Sequence, residues 1–352
     1  MKHMRLLAVL FATMLVATAC TGAGASPDAS AGEATESETA ESQPAESEAA
    51  GAPEELVIGF VPSREAETLV EDIQPLADYL SEQLGIPVEG VVSNDYTGLV
   101  TAMETGQAHI GVLPPYGLVQ SVDRAGAEII LQSARFGSGT YHTQFFTNDP
   151  DKYCEDEPVE NTRVVEDEEV TYLNCNGTDR AFDDSPEGPI GIEALENLEP
   201  GTAVSFVEQT SASGYIFPAT VFLDAGIDPE NDIEPLFAGS HDASVIAVCE
   251  GQAEVGVSFD DARTAAVTDC DVANEVVVFA YGPEIPNDGV AVAGDLPDDL
   301  KEQIKQALME FSETEEGAAT LDAIYGISEF TEPNLESLDI VRKAVEDLGY
   351  EG

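Results

Sequence analysis

Two stretches of the sequence share one pattern, and this pattern constrains the fold more than any other feature. The segments YTGLVTAMETGQAHIGV (96–112) and HDASVIAVCEGQAEVGV (241–257) each run from a polar start through an apolar-periodic stretch to Gly-Gln-Ala. A short β-rich run ending in Gly-Val follows in both, which predicts a helix, a glycine cap and a strand. Because Gly106 aligns with Gly251, we interpret the chain as two related halves, although any α/β protein can repeat helix, glycine and strand.

Strands and helices alternate through much of the remaining sequence. Apolar runs at 55–62, 201–207 and 275–281 read as buried strands, and residues 70–85 form an amphipathic helical pattern that ends at glycine. This alternation predicts an α/β fold with mostly parallel sheets flanked by helices. In such sheets a ligand binds beyond the carboxyl ends of the strands, close to helix N-termini.

The beginning of the chain has the pattern of a signal peptide at residues 1–19. Lys2 and Arg5 give a basic start, and an apolar run at residues 6–16 is too short to span a membrane. The Ala-Thr-Ala-Cys that ends at Cys20 resembles the lipobox of bacterial lipoproteins. That resemblance implies that Cys20 carries lipid after processing; the alternative is ordinary secretion with a stray cysteine.

Residues 20–53 are predicted to be a disordered, acidic linker that follows the lipid anchor. From residue 21 onward this segment contains no aromatic and no basic residue, so it cannot bury enough apolar surface to fold. No other segment is long and apolar enough to span a membrane. We therefore expect the protein to be extracytoplasmic and to contact the cell membrane through its lipid anchor alone.

The charge balance of the chain excludes one class of partner. The sequence holds 69 Asp and Glu against 13 Lys and Arg, a formal net charge of −56. Nucleic acid is excluded as a partner because binding to a phosphate backbone needs a basic surface. The residues after the linker number about 300, which suits two domains, and we expect a monomer.

The five cysteines divide into Cys20 and four others. Cys154 and Cys175 lie 21 positions apart, as do Cys249 and Cys270. Outside the cytoplasm an even number of cysteines predicts disulfides, and of the three possible pairings we favour the two local ones. Each would close a loop of about 20 residues, worth roughly 3 kcal/mol in the chain-entropy model. Zinc is the alternative, but neither a Cys-x-x-Cys nor a histidine pair supports it; no metal and no cofactor are expected.

The stretch VEQTSASGYIFP (207–218) places a threonine and two serines before an apolar run. Small hydroxyl residues at this position either cap a helix or hold an anion at its N-terminus. The stretch by itself leaves both interpretations open.

Five stretches together resemble the substrate-binding proteins of ABC importers for phosphonate, phosphite and phosphate. The resemblance covers residues 55–345 or so and implies a two-lobed periplasmic-binding-protein fold of type 2, with a ligand cleft between the lobes. It also implies an ABC transporter permease as partner and no catalysis. The stretches are IGFVPSREAE, NDYTGLVTAM, QTSASGYIFP, GSHDASVIAV and FDDAR.

On this resemblance we divide the folded part into two lobes. The first is predicted to comprise 54–145 plus 284–352, and the second 146–283.

The resemblance also implies the ligand-binding residues. Tyr96 gives its hydroxyl from the first lobe, Ser211 and Ser213 bind ligand oxygens at a helix start in the second lobe, and His241 and Asp260 complete the wall of that lobe. Each has a plainer alternative: the serines as a helix cap, His241 as a helix-start residue, Tyr96 as a packed tyrosine, and Asp260 as a capping carboxylate.

Two further residues extend the predicted set. Family members often carry a threonine where this chain has Ala212, and Thr210 is predicted to compensate for that missing hydroxyl. Tyr141 follows a glycine-rich segment at the expected crossing between the lobes and is included as a weaker candidate; its neighbour His142 is a candidate outside this set.

The predicted ligand is a phosphorus oxyanion: a phosphonate, phosphite or phosphate. Basic residues are scarce, so neutral hydroxyl and backbone donors must hold it. Asp260 would accept a hydrogen bond from a P–OH or an ammonium group and would reject sulfate, which has no proton near neutral pH. The alternatives are the same fold with another small anion (a sulfonate such as taurine, nitrate or a carboxylate) or a sensory ligand-binding lobe.

An enzymatic function is not supported by the sequence. Neither a Gly-x-Ser-x-Gly elbow nor a His-Glu-x-x-His motif occurs, and only four histidines are present, one of them in the signal peptide. No catalytic residue is therefore predicted.

Overall fold

The computed structural model describes residues 53–135, 137–165, 168–178 and 189–350. The predicted signal peptide, Cys20 and nearly all of the predicted linker lie outside these residues. None of the helices in the described part of the chain combines the length and the apolar character that crossing a membrane would require.

The described residues contain thirteen strands that form two sheets. In chain order the strands are β1 (Leu56–Phe60), β2 (Val88–Val92), β3 (Ile110–Leu113), β4 (Glu128–Ala134), β5 (Thr140–Thr147), β6 (Val159–Val165), β7 (Glu168–Asn174), β8 (Ala203–Phe206), β9 (Glu234–Phe237), β10 (Val255–Phe259), β11 (Val277–Pro286), β12 (Gly289–Val292) and β13 (Glu329–Thr331).

Eleven α-helices cover the sheets in the described part of the chain. They are α1 (Ala66–Asp72), α2 (Gln74–Leu84), α3 (Tyr96–Glu104), α4 (Pro115–Ala125), α5 (Pro150–Tyr153), α6 (Phe217–Asp224), α7 (His241–Cys249), α8 (Val272–Glu275), α9 (Asp298–Ser312), α10 (Glu315–Tyr325) and α11 (Asp339–Asp347).

The two sheets define two lobes. The six-stranded sheet of the first lobe has the order β13-β4-β12-β3-β1-β2, and the seven-stranded sheet of the second lobe has the order β6-β7-β11-β5-β10-β8-β9. The chain passes from one sheet to the other twice, between β4 and β5 and between β11 and β12. The strands of the second sheet run from Thr140 to Pro286. The predicted lobe boundaries at 145/146 and 283/284 therefore fall inside β5 and β11, and the second passage between the sheets lies at 287–288.

The sequence repeat corresponds to a structural repeat. Helices α3 and α7 are nine residues each and are capped at their starts by Asp95 and Ser240, whose side chains accept backbone N–H groups. Each ends before a glycine with positive φ, 71° at Gly106 and 73° at Gly251, and then leads into β3 or β10. The strand order β2-β1-β3 in one lobe matches β9-β8-β10 in the other, with parallel pairing in both.

The predicted two-lobed α/β fold is confirmed, except that its sheets are mixed rather than mostly parallel. Among the strand pairings of the described residues five are parallel and six are antiparallel. Each lobe receives one strand directly from the other lobe, β12 in the first and β5 in the second, and this strand runs antiparallel to the repeat beside it. The hairpin β6–β7 adds another antiparallel pair.

The predicted disulfide pairing is confirmed. Cys154 pairs with Cys175, which joins the end of α5 to the end of β7. Cys249 pairs with Cys270, which joins the last turn of α7 to the segment before α8. Both bonds therefore lie within the second lobe.

Each lobe has its own apolar core. In β5, Phe145 and Phe146 are fully buried on opposite faces of the second sheet, because successive side chains of a strand point in opposite directions. This two-sided burial makes the second sheet a rigid base for the residues that project from its strand ends.

Candidate functional site

A cavity of about 1050 Å³ lies between the lobes and is lined by both of them. It also borders on the two segments where the chain passes from one sheet to the other. Six of the seven predicted ligand-binding residues line it: Tyr96, Tyr141, Ser211, Ser213, His241 and Asp260.

Thr210 is the exception among the predicted residues. It lines a separate open groove with Asp95, Glu208 and Phe237 rather than the cavity. The turn that begins at Ser211 directs the following residues toward the cavity and leaves Thr210 behind it, so the structure does not place Thr210 where it would replace the hydroxyl missing at Ala212.

The serine-rich stretch folds as a π-helical turn, Ala212–Ile216, that leads directly into α6 at Phe217. Pro218 therefore stands in the first turn of α6, where the lack of an N–H group costs little.

Ser211 is both a cap and a potential ligand donor. It is buried, and its Oγ accepts the backbone N–H of Gly214 at 3.2 Å. A hydroxyl that accepts one hydrogen bond still has its own hydrogen to donate. The capping and anion-binding interpretations of this serine are therefore compatible.

The turn requires a glycine at position 214. A Cβ atom there would come within 2.4 Å of the Val207 side chain and 2.7 Å of Ser211 Oγ. The N–H of Val207 also donates to the Gly214 carbonyl at 3.1 Å, which holds the two backbones together. The close approach fixes the position of the serine hydroxyls.

Tyr96 presents a buried phenol at the start of α3. Its side chain is 3% exposed, and among the described residues no partner lies within hydrogen-bonding distance of its Oη. Burial raises the pKa of Tyr96 well above its usual value, and nearby Tyr325 and Asp288 add to the effect. The phenol is thus a neutral donor that lacks a partner in this structure.

His241 occupies the equivalent position at the start of α7. Its Nδ1 lies 2.7 Å from Ser258 Oγ. Burial, with a smaller contribution from Arg135, lowers the pKa of His241 to about 3, so the imidazole is neutral near neutral pH. If Nδ1 accepts the Ser258 hydroxyl, the ring proton is on Nε2, which makes His241 a second neutral donor.

Asp261, which follows the predicted ligand-binding residue Asp260, is a carboxylate with partners inside the second lobe. Asp261 is fully buried and paired with Arg263, with 2.7 Å between Oδ2 and Nη2 and 2.9 Å between Oδ1 and Nε. Gln144 also donates to Asp261, at 3.0 Å. The charge of Asp261 is therefore compensated within the second lobe. Asp260 and Asp261 both border the cavity.

Two charged residues of the cavity were not identified from the sequence. Arg135 follows β4 and Asp288 precedes β12, and they form an ion pair with 2.5 Å between Nη2 and Oδ2. Burial raises the pKa of Asp288 above its usual value, and Arg135 acts in the opposite direction. The scarcity of basic residues was the signal available in the sequence: an arginine at a predicted crossing between lobes is conspicuous in so acidic a chain.

Tyr141 lies on β5 close to both the serine turn and Arg135. Its hydroxyl is within hydrogen-bonding reach of Ser213, and its ring centre lies 5.5 Å from the guanidinium carbon of Arg135. Burial raises the pKa of Tyr141, so this phenol is neutral as well. Ser213 in turn is anchored through its carbonyl, which accepts the Thr143 hydroxyl at 3.1 Å.

Two hydrogen bonds donated by backbone N–H groups join the lobes beside the cavity. The N–H of Tyr96 donates to the Glu208 carboxylate at 3.1 Å, and the N–H of His241 donates to the Ser63 carbonyl at 3.1 Å. Glu208 follows β8 and Ser63 follows β1, which are equivalent strands of the repeat. Each equivalent helix start thus contacts the equivalent loop of the opposite lobe.

Within the described residues, no group of three or more His, Cys, Asp or Glu side chains is arranged to hold a metal ion. The cavity instead offers neutral hydroxyl and imidazole donors beside buried carboxylates and arginines. This set is suited to holding a small polar solute by hydrogen bonds.

Two α/β lobes, joined by two crossings of the chain and enclosing a polar cavity, define a solute-binding protein of the periplasmic type. The comparison with known proteins is more specific. The chain belongs to the family described as the periplasmic phosphonate substrate-binding protein of ABC transporters, whose family model matches residues 58–338.

The curated relatives include the phosphate-import protein PhnD of Mycolicibacterium smegmatis. It is 26% identical over 220 residues, which is 60% of this chain and 57% of that protein. The match thus spans less than two thirds of the relative's length.

Two solved structures show the same fold. The binding protein component of an ABC phosphonate transporter from Pseudomonas aeruginosa has a TM-score of 0.65 at 19% identity, with 82% of this chain and 85% of that chain covered. PhnD1 from Prochlorococcus marinus, solved in complex with methylphosphonate, also has a TM-score of 0.65, at 16% identity, with 85% and 99% covered.

Proposed function

We propose that this protein captures a phosphorus oxyanion (a phosphonate, phosphite or phosphate) in the cavity between its lobes and delivers it to the permease of an ABC importer. Family membership supports the transport role. A relative of the same fold that holds methylphosphonate supports the ligand class. The observation that carries the proposal is the meeting of neutral donors and buried carboxylates in one cavity.

The neutral donors favour an oxyanion. Tyr96 and Ser211 have hydroxyl hydrogens to donate, and neutral His241 adds a ring N–H. These side chains are buried, and hydrogen bonds from such groups to a charged oxygen are stronger than hydrogen bonds between neutral groups. The donors come from both lobes, so binding the anion favours the closed arrangement that brings them together.

The Asp260 carboxylate favours an oxyanion that carries a proton or a cationic group. Asp260 borders the same cavity, and its carboxylate repels a fully ionised anion, whereas the charge of Asp288 is balanced by Arg135. A P–OH, or the ammonium of an aminoalkylphosphonate, can donate to a carboxylate and remove this repulsion. Sulfate has no proton to donate near neutral pH, so it meets the repulsion without compensation.

The test of the ligand class is a pair of substitutions that keep side-chain size. In Asp260→Asn the amide can donate to an unprotonated oxygen, so we expect sulfate to bind measurably while methylphosphonate binding weakens. Asp288→Asn instead leaves Arg135 uncompensated and should strengthen the binding of both anions alike. Isothermal titration of both ligands against each variant measures the ratio of affinities. A ratio equal to that of the wild type in Asp260→Asn would contradict the proposed selection.

The location of the protein follows from its family and from its N-terminal sequence. A periplasmic substrate-binding protein works outside the cytoplasm, and we propose that lipid on Cys20 tethers this one, as a monomer, to the cell membrane through the linker at 20–53. Cys20→Ser should release the protein from the membrane fraction. Equal retention of wild type and variant there would contradict lipid anchoring.

A further inference from the structure

Arg135 lies on the first segment that crosses between the lobes. It directly follows β4, and its backbone is fixed by a short turn. The N–H of Arg135 donates to the Ser138 carbonyl, and the N–H of Ser138 donates back to the Arg135 carbonyl, both at 2.9 Å. The position of the Arg135 side chain is therefore set by the crossing segment itself.

Asp288, the partner of Arg135, is held equally firmly on the second crossing segment. Its carbonyl accepts both the backbone N–H and the hydroxyl of Ser133, each at 2.9 Å. The two side chains are 13% and 11% exposed, so their ion pair is largely shielded from water. Asp288 therefore occupies Nη2 of Arg135 and orients the whole guanidinium.

The remaining edge of the guanidinium carries an unsatisfied donor. Nε of Arg135 is buried, and among the described residues it has no hydrogen-bond partner. Two aromatic rings flank the guanidinium, with its carbon 5.5 Å from the Tyr141 ring centre and 5.9 Å from that of Phe259. A buried N–H of a cation without an acceptor is unfavourable, and a bound anion would satisfy it.

Arg64 also borders the cavity, and its environment differs. It donates through Nη1 to the Ala323 carbonyl at 2.6 Å. Three carboxylates act on its charge: Asp72, Asp322 and Asp242. Arg64 is thus compensated by the protein, and it serves as the matched comparison for Arg135.

We infer that Arg135 is a ligand-binding residue whose Nε–H donates to an ionised oxygen of the bound oxyanion while its Nη2 remains on Asp288. This deepens the proposed function, on which the identity of the anion rests. Because Asp288 balances the charge of Arg135, the pair adds a directed donor rather than a net positive charge. The expectation from sequence that neutral donors alone hold the anion is thereby revised.

A ligand bound at Arg135 also contacts the hinge between the lobes. Arg135 and Asp288 stand on the two crossing segments, so an anion bound at Nε contacts the hinge as well as both lobes. The same ligand then stabilises one arrangement of the hinge, which is the element that must change when the lobes open.

The test measures the affinities of methylphosphonate, 2-aminoethylphosphonate, phosphite, phosphate and sulfate by isothermal titration of the purified full-length chain and four variants. Arg135→Gln removes the donor, and Arg135→Lys keeps the charge but not the planar donor edge. Arg64→Gln removes an equal charge from the cavity wall. The double variant Arg135→Gln with Asp288→Asn removes both charges and so avoids leaving Asp288 uncompensated.

A direct contact predicts a loss of about 10- to 100-fold in affinity for Arg135→Gln, a loss of about 10-fold for Arg135→Lys, and at most about 3-fold for Arg64→Gln. The double variant should remain weak. Wild-type affinity in the double variant or in Arg135→Lys would overturn the inference, because Arg135 would then serve only to neutralise Asp288. If Arg135→Gln does not fold, Arg135→Lys gives the same decision.

The outcomes separate this inference from the proposed function. A wild type that binds sulfate but no phosphorus oxyanion overturns the proposed function, and loss of that sulfate binding in the Arg135 variants still supports the contact. If the wild type and the double variant bind phosphorus oxyanions with equal affinity, the Arg135 contact is overturned and the proposed function stands. A wild type that binds none of the five anions overturns both.

Discussion

The backbone N–H of His241 donates to the carbonyl oxygen of Ser63 at 3.1 Å, and this hydrogen bond joins the second lobe to the first at the rim of the cavity. The related bond from Tyr96 to Glu208 joins the first lobe to the second. Because the two helix starts are equivalent positions of the repeat, the closed cavity is fastened by a reciprocal pair of contacts. The first turns of α3 and α7 therefore hold the lobes together and also contribute residues to the cavity.

The contact of Glu208 predicts an effect of Glu208→Ala on affinity. The variant removes the acceptor for the Tyr96 N–H in the closed state, so we expect ligand affinity to fall about 3- to 10-fold, the size of one hydrogen bond. Isothermal titration with methylphosphonate measures it. Glu230→Ala, which removes an exposed carboxylate of the same lobe, is the control; equal affinities in the two variants would contradict a closing role for Glu208.

The serine turn predicts unequal effects of two neighbouring hydroxyls. Ser213→Ala removes a hydroxyl from the cavity, and we expect about a 10-fold loss of affinity, since one hydrogen bond to a charged oxygen is lost. Thr210→Ala removes a hydroxyl from the separate groove and should leave the affinity unchanged. A loss of affinity in Thr210→Ala, with none in Ser213→Ala, would reverse this assignment.

The close approach at Gly214 predicts a loss of stability. Gly214→Ala forces the new methyl group against Val207 and Ser211, so we expect the free energy of unfolding to fall by about 1–3 kcal/mol. Gly139→Ala is the control, because no atom lies within 4 Å of the position of its Cβ. Urea unfolding of both variants decides the matter, and equal midpoints would show that the turn adapts to the methyl group.

The buried imidazole of His241 predicts a pH dependence of stability. The pKa of His241 is lowered from 6.5 to about 3 in the folded protein. Between these values the unfolded chain binds a proton that the folded protein does not, so this contribution to stability is lost as the pH falls, by up to about 1.4 kcal/mol per pH unit. The charge of Arg135 disfavours protonation of the ring, and the Ser258 hydroxyl occupies Nδ1.

His241→Gln isolates this contribution. Asp288 and Glu208, whose carboxyl pKa values are raised by burial, are present in both proteins and cancel in the comparison. Urea unfolding of wild type and variant at several pH values between 4 and 7 should show the stability of the wild type falling more steeply on acidification. Parallel curves would mean that His241 is not buried as a neutral ring.

The repeat and the disulfides were predictable from the sequence because each depends on local spacing. Gly106 and Gly251 mark the ends of two helices, and a glycine with positive φ is a local requirement that a single position reveals. The pairing of Cys154 with Cys175 likewise follows from a short separation. The mixed character of the sheets was not predictable in this way, since β12 and β5 enter their sheets from the opposite lobe.

The residues of the site that sequence reasoning missed are those positioned by the two crossings. Arg135 and Asp288 lie 153 positions apart and follow no shared motif. They meet because the strands β4 and β12 are neighbours in one sheet. Thr210 is predicted from the sequence to replace the hydroxyl missing at Ala212, but the direction of the turn decides which hydroxyl reaches the cavity.

The central claim is that the cavity binds a phosphorus oxyanion that carries a proton or a cationic group. The most direct measurement is isothermal titration of the purified wild-type chain with phosphate, phosphite, methylphosphonate and 2-aminoethylphosphonate, with sulfate and taurine as controls. We predict tight binding of at least one phosphorus ligand and none of sulfate. A folded protein that binds sulfate or taurine but none of the phosphorus compounds would contradict the claim.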